Sequence, residues 1–334
     1  MFDAIGNTPM VRLNRIPSEV NAQIYVKLEW FSPTGSLKDR IYYNMITKAE
    51  KRGDLKAGMT ILECSTGNAG TSCAWVAALK GYPCVISMPE GMSEERKKLT
   101  RAYGADLLFT PGGESDVDLA VEMVYEIKQT DPDKYWIPDQ FTNGDNVEAH
   151  YLTSGPEIWE QTAGKVEALV GTQGSGGFIT GVAKFLQERD ARIQLWAVEP
   201  AECPLLSQRK WGHHGIEGIG DGLVPRNLHL ERVTGIITTD TGEALAMAKR
   251  LAREEGIFCG ISSGSNVAAA VKLAEKHPDL SYIVCLVCDT GQRYFSTALC
   301  DEEKHVEIPD RQHPMDPHTV EQLDKYQANW EIIT

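Results

Sequence analysis

Residues 171–181 read "GTQGSGGFITG". Gly174, Gly176, Gly177 and Gly181 surround Ser175, and the bulky Phe178 follows closely. The apolar run "VEALV" (166–170) stands before this stretch, and "FITGVAKFLQER" (178–189) carries it onward with helical character. Strand, glycine loop and helix in that order suit an anion. The glycines let the backbone come close, and the helix start directs free N–H groups and a positive dipole end at it. The lettering matches neither common nucleotide loop. No Gly-Lys-Ser/Thr closes it, and counting from Gly171 or Gly174 the third glycine of G-x-G-x-x-G is misplaced. By itself the loop reads either as an anion cradle or as a tight turn that lets helix and strand pack.

The same alternation runs along the chain. "TILEC" (60–64) reads as a strand, followed by a helix over 69–80 that Gly81 stops. "CVISM" (84–88) is the next strand, and Ser93 is expected to cap an acidic-first helix, "EERKKLTRAY" (94–103). "DLLF" (106–109) is a strand, and "SDVD" (115–118) has the form of a capping box before a long amphipathic helix. In the second half, "IQLWAVEP" (193–200) and "YIVCLVC" (282–288) read as strands; helices are expected over 241–255 and from 261 onward. Such alternation predicts an α/β fold with parallel sheets covered by helices. Ligands in these folds sit at the carboxyl ends of strands. Four polar or glycine-rich loops hold that position: 65–70, 171–177, 260–265 and 289–293.

The length of 334 residues suggests two domains. Lys and Arg total 33 against 47 Asp and Glu, a net charge of -14, which repels a phosphate backbone and sets nucleic acid aside as a partner. The N-terminus lacks a basic region followed by an apolar run, and no stretch approaches ~18 uninterrupted apolar residues. A cytoplasmic protein with no membrane contact is the expectation. Of the eight cysteines, Cys285 and Cys288 form a C-x-x-C. On a strand they face opposite ways, so they read as small core residues and no metal is expected. The tail from about 303 is polar and proline-dotted, and is expected to wrap the surface or meet a partner subunit.

Three further stretches carry candidate chemistry. In "SPTGSLKDRI" (32–41), Lys38 stands at a helix start whose face shows Ile41, Met45 and Ala49. A dipole end and partial burial lower an amine's pKa, which suits Schiff-base chemistry; a solvated surface lysine is the plainer alternative. "ECSTGNAGTS" (63–72) offers Ser65, Thr66, a flexible Gly67 and the amide of Asn68, able to hold a carboxylate or a phenolate-like oxygen or simply to cap a helix. "CGISSGSN" (259–266) sets small hydroxyls between glycines, fit for the edge of a flat ring or for another cap.

Taken together, these stretches resemble the fold type II pyridoxal-phosphate enzymes, and within them the cysteine synthase and cystathionine β-synthase branch. The likeness runs from "IGNTPMVRL" (5–13) to "DTGQRYFST" (289–297), through "QFTNGDNVEAHYLTSGPEIWEQT" (140–162) and "EGIGDGLVP" (217–225). It implies a tryptophan synthase β-like fold of two domains around a cofactor-bearing cleft. Residues 1–40 and 151–310 would form the larger domain, 41–150 a smaller mobile one, and 311–334 a tail. It implies a homodimer and pyridoxal 5'-phosphate. Lys38 matches the lysine bonded to the cofactor, Asn68 the asparagine at its ring oxygen, and Ser262 the serine facing its ring nitrogen. Gly174, Ser175, Gly176 and Gly177 match the phosphate cradle. Ser65, Thr66, Gly67 and Ala69 match the loop that receives the substrate carboxylate, with Gln140 and Gly218 also on the substrate side.

The implied reaction is β-replacement on a serine-derived amino acid by way of an aminoacrylate, with cysteine made from O-acetylserine and sulfide. The alternatives are elimination or replacement on L-cysteine or L-serine, releasing hydrogen sulfide or making cystathionine or lanthionine, and a silent binding protein of the same fold. Three positions depart from the family's usual lettering. Ala69 and Phe178 stand where threonine is common, and Asp221 where alanine or tyrosine often stands. Asp221 is expected to take a catalytic part, serving the second substrate or selecting the first.

Overall fold

The computed structural model describes residues 1–17, 20–113, 116–300 and 312–334. Two short antiparallel strands open the chain, β1 (Met10–Arg12) and β2 (Gln23–Leu28). Helix α1 (Lys38–Arg52) leads into β3 (Thr60–Cys64), α2 (Asn68–Lys80), β4 (Cys84–Pro89) and α3 (Glu94–Ala102). Then come β5 (Asp106–Thr110), α4 (Val117–Thr130), β6 (Tyr135–Trp136), α5 (Gly144–Leu152) and α6 (Ser154–Gln161). The second half continues with β7 (Ala168–Thr172), α7 (Gly177–Gln187), β8 (Gln194–Pro200), α8 (Leu205–Gln208) and β9 (Gly235–Thr239). It ends with α9 (Thr241–Arg250), α10 (Ile261–Lys276), β10 (Tyr282–Val287), α11 (Pro317–Tyr326) and β11 (Glu331–Ile333).

The strands form two sheets. The larger has seven strands in the order β1-β2-β10-β7-β8-β9-β11, parallel except at β1–β2. The smaller has four parallel strands, β5-β4-β3-β6. Parallel strands need covered faces, so their sequences run apolar without alternation. All five residues of β3 are buried, as are Ile283–Val287 of β10. Helix α2 shows why "NAGTSCAWVAALK" has no polar face: it is buried from Ala69 to Val76 and Ala77, between α1 and β4. The expected face of α1 is present, with Ile41, Met45 and Ala49 fully buried against the core of the smaller sheet.

Some local expectations are corrected. Ser93 does occupy the N-cap position of α3, but its side chain makes no cap; its hydroxyl donates to the carbonyl of Arg293 at 2.9 Å. Helix α4 starts after Asp116, and Ser115 of the expected capping box lies outside the described residues. The helix expected over 241–255 is α-helical only to Arg250 and finishes as a π turn, Leu251–Glu255, before the left-handed Gly256. The tail does more than wrap: α11 packs beside the larger sheet and β11 pairs with β9 as its edge strand. Cys285 and Cys288 fall in different core clusters on opposite faces of β10. Among the described residues no cluster of His, Cys, Asp or Glu could hold a metal, and no helix is long and apolar enough to cross a membrane.

Candidate active site

The loops after β3, β7 and β10 and the start of α10 meet in one cleft between the sheets, with about 810 Å³ of open space. Lys38, Ser65, Thr66, Asn68, Ala69, Gln140, Gly174, Ser175, Gly176, Gly218, Asp221 and Ser262 all line it. Of the residues expected from sequence, only Gly67 and Gly177 stand behind the wall rather than on it.

Lys38 is the first residue of α1 and half-buried. Its Nζ lies 3.3 Å from Gln140 Oε1 and 3.4 Å from Ser175 Oγ, contacts longer than a strong ammonium hydrogen bond. The amine is thus placed at the glycine loop.

Helix α7 opens at that loop. Gly176 is its N-cap, with φ 78°, and carries no capping side chain. The first-turn N–H groups are therefore uncapped by the helix itself, which fits a phosphate dianion. Space enforces the glycines as well: a Cβ at Gly176 would stand 2.7 Å from the Leu228 nitrogen, and one at Gly177 1.9 Å from Asn146 Oδ1. Phe178 follows this cradle and borders the same cleft, but its ring is taken up by packing. It is 6 % exposed, packs with Leu37, Ile158 and Val182, and meets the His150 ring edge-on at 5.2 Å. His150 holds Ser154 Oγ at 2.9 Å, and burial drives its pKa well below the ordinary histidine value, so the ring is neutral.

On the opposite wall, Ser65 Oγ accepts the N–H groups of Gly67 (2.9 Å) and Gly70 (2.7 Å), so the hydroxyl caps the start of α2. Thr66 offers its carbonyl to Arg96 Nη1 at 3.1 Å. Asn68 is held at both ends of its amide: Nδ2 donates to Asp289 Oδ2 (2.6 Å), and Oδ1 accepts from Arg293 Nη1 (2.5 Å). Tyr294 Oη donates to the same Asp289 oxygen at 2.8 Å and accepts from Arg96 Nη2 at 2.5 Å. Arg96 also pairs with Glu217 at 2.6 Å. The sequence marked the 289–293 loop and the 217–225 stretch but no residue within this network except Asn68. Arg96, Glu217, Asp289 and Arg293 become visible only as buried charges: Arg96 pairs with Glu217 and, at 3.9 Å, with Asp289 across well over a hundred positions of chain, and Arg293 reaches Asn68. The nearest sequence signal was the string "DTGQRY" directly after an apolar strand.

Ser262 lies in the first turn of α10, buried at the cleft beside the Cys288 thiol, which burial pushes up to about 12. Gly218 (φ 95°) turns the backbone toward the cleft, and a Cβ there would meet nothing. Asp221 is 6 % exposed on the same loop. Burial pushes its carboxyl up to about 6, against the pull of the Lys38 charge.

The matches to known proteins agree with this geometry. The family described as "Pyridoxal-phosphate dependent enzyme" matches residues 1–289. Cysteine synthase A of Escherichia coli (strain K12) is 44% identical over 304 residues, covering 88% of this chain and 93% of that protein. A crystal structure of a hydrogen sulfide-producing enzyme from Fusobacterium nucleatum superposes with a TM-score of 0.84 at 38% identity, covering 88% of this chain and 98% of the other. Cysteine synthase from Entamoeba histolytica gives a TM-score of 0.84 at 36% identity, over 99% and 95% of the two chains. With a lysine, an uncapped glycine-rich helix start and an amide gathered in one cleft, the chain belongs to the pyridoxal-phosphate-dependent enzymes, in their cysteine synthase family.

Proposed function

We propose that the chain makes cysteine by β-replacement, taking O-acetylserine as the first substrate and sulfide as the second. The observation that carries this reading is the pairing, across one cleft, of Lys38 beside the Gly174–Gly177 loop with the hydroxyl and amide loop of residues 65–69. Bound pyridoxal phosphate supplies the electron sink that makes the substrate's α-proton acidic and lets its β-substituent leave.

The chain's own groups do the rest. The N–H groups around Gly174–Gly177 and the start of α7 hold the phosphate without a side-chain cation. Lys38 Nζ carries the α-proton, because it reaches the cleft from α1 and stands beside Gln140 and Ser175. Thr66 and the N–H groups at the start of α2 receive the substrate carboxylate, while Ser65 keeps the loop in shape. Ser262 faces the ring nitrogen with a hydroxyl, which does not enforce a charged ring. Residues 41–150 act as the moving body that shuts over the substrate and excludes water. A cytoplasmic homodimer belongs to the same reading.

Asp221 favours a second reading, in which L-cysteine or L-serine is consumed. Its buried carboxyl, with a pKa raised to about 6, can pass a proton to or from a thiol or water at neutral pH. It also opposes an anionic side chain such as a phosphoserine's.

An amino-acid panel tests both. O-acetylserine, O-phosphoserine, serine and cysteine are added with and without sulfide, and the cofactor's visible absorption and the products are followed. The first reading expects a visible band, lost in Lys38→Ala, and cysteine from O-acetylserine plus sulfide. A purified protein without that band, or a band that survives in Lys38→Ala, refutes it. Sulfide released from cysteine at a higher kcat/KM than cysteine synthesis favours the second. Asp221→Asn with both half-reactions at parental rates removes Asp221 from either scheme.

A further inference from the structure

Asn68 is an amide with two chemically distinct ends, and nothing in its shape decides which end faces the cleft. Its surroundings decide. Arg293 can only donate, so the atom at 2.5 Å from its Nη1 is the amide oxygen. An ionised Asp289 can only accept, so the atom at 2.6 Å from its Oδ2 is the amide nitrogen. A flipped amide would set N–H against a guanidinium and oxygen against a carboxylate. The two partners are buried, at 0 % exposure for Asp289 and 2 % for Arg293, so water cannot stand in for either.

The clamp is itself anchored. Asp289 Oδ2 also accepts from Tyr294, and Oδ1 is buried without a hydrogen-bond partner among the described residues. Arg293 spends its second arm, Nη2, on the carbonyl of Thr34. Thr34 lies in the turn that leads to Lys38, and its N–H and hydroxyl are both tied to Asp39, one residue beyond that lysine. A single planar guanidinium therefore bridges the lysine turn and the asparagine, fixing the distance between them. Ser93 closes the arrangement by donating to the Arg293 carbonyl, and makes no cap to α3.

We propose that Asp289 and Arg293 are positioning residues that hold the Asn68 amide in one of its two orientations. That orientation presents the free N–H of Asn68, rather than its oxygen, to the ring oxygen of the cofactor, at a set distance from Lys38. The proposal rests on the reading that the cofactor occupies this cleft. Neither residue touches the reacting atoms; both act through Asn68 and through the turn at Thr34.

The test uses the cofactor-loaded enzyme with Asp289→Asn, which keeps the shape of the side chain, and Arg293→Met, which keeps much of its length. The readouts are the absorption and emission of the bound cofactor without substrate, the kcat and KM for the amino acid, and the melting temperature. Loss of a charge-assisted hydrogen bond predicts a fall in kcat of roughly 10- to 100-fold, with KM near the parental value. The cofactor spectrum shifts because its ring oxygen loses a donor, while the phosphate cradle still retains the cofactor. A merely structural role would lower the melting temperature and the yield but leave the spectrum of the folded, loaded fraction unchanged. Spectra and kcat equal to the parent's in folded Asp289→Asn overturn the proposal, whether or not Arg293→Met folds. A parent enzyme with no cofactor band at all refutes the underlying assignment of the cleft instead, so the two failures are distinguishable.

Discussion

Replacing Phe178 by threonine would give the chain the hydroxyl common at this place in its family, next to the phosphate cradle. The structure predicts that the change costs stability, because the ring is a core residue: 6 % exposed, packed with Leu37, Ile158 and Val182, and set edge-on to His150. Removing a buried phenyl ring costs about 3–5 kcal/mol. Unfolding entropy of about 2 cal/mol/K per residue over a chain of 334 turns this into a melting temperature lower by roughly 4–7 °C. In return, a new hydroxyl aimed at the phosphate contributes about 1–3 kcal/mol, and only when the cofactor is present. Phe178→Thr should therefore melt well below the parent as apoprotein, with a smaller deficit once loaded. Differential scanning calorimetry of both forms measures the two numbers. An apoprotein melting within ~1 °C of the parent would show that the ring does not carry the packing described, and the account of this position would fall.

Gly177→Ala should lower kcat roughly 100-fold, because a Cβ 1.9 Å from Asn146 Oδ1 must displace either the helix start that forms the cradle or the Asn146 amide that holds Ser175 and the Gln140 carbonyl; steady-state kinetics and cofactor titration check it. Arg40→Met should destabilise by about 3–5 kcal/mol in urea unfolding, since it leaves the fully buried Glu29 without the cation that pairs with it, only the Thr8 hydroxyl still donating, and adding Glu29→Gln should recover part of the loss. Asp221 makes a pH prediction. Its folded pKa of about 6 lies above the usual aspartate value, so the folded protein keeps that proton longer than the unfolded chain. Stability from this group is whole below about pH 4 and is lost as pH rises through about 6. Asp221→Asn should be more stable than the parent by about 2–3 kcal/mol at pH 7–8 and equal to it near pH 4, as read from denaturation midpoints. A constant difference across that range would contradict the burial argument.

Most of the framework was legible because parallel strands announce themselves. β3, β4, β8 and β10 are mostly apolar and almost wholly buried, and the polar loops that follow several of the strands supply the cleft. β1, β2, β6, β9 and β11 were harder to see. The outer pair β1 and β11 span three residues each, too short to carry a period, and β11 takes its place only by pairing with β9. Lys38, Asn68, Ser262 and the glycine loop could be read because their backbone settings leave local signatures at helix starts. The clamp on Asn68 could not. Its members share one loop more than two hundred residues from Asn68, and nothing in the lettering of that loop shows which of its charges are buried or what they reach. Ser93 misled for the same reason, since a hydroxyl at a helix start gives no sign of a distant carbonyl within its reach.

The order of strands in the two sheets bears on how the chain is made. The smaller sheet uses one continuous stretch, from Thr60 to Trp136, so all its pairings are available once that stretch has left the ribosome. The larger sheet places β2 next to β10, joining Gln23 to Tyr282. β2 can pair with β1 at once, but its other edge must wait for nearly the whole chain before its neighbour exists. Vectorial synthesis thus favours the smaller layer as the early folding unit, with one edge of β2 left open until late, the stage at which such a nascent chain most needs protection from aggregation.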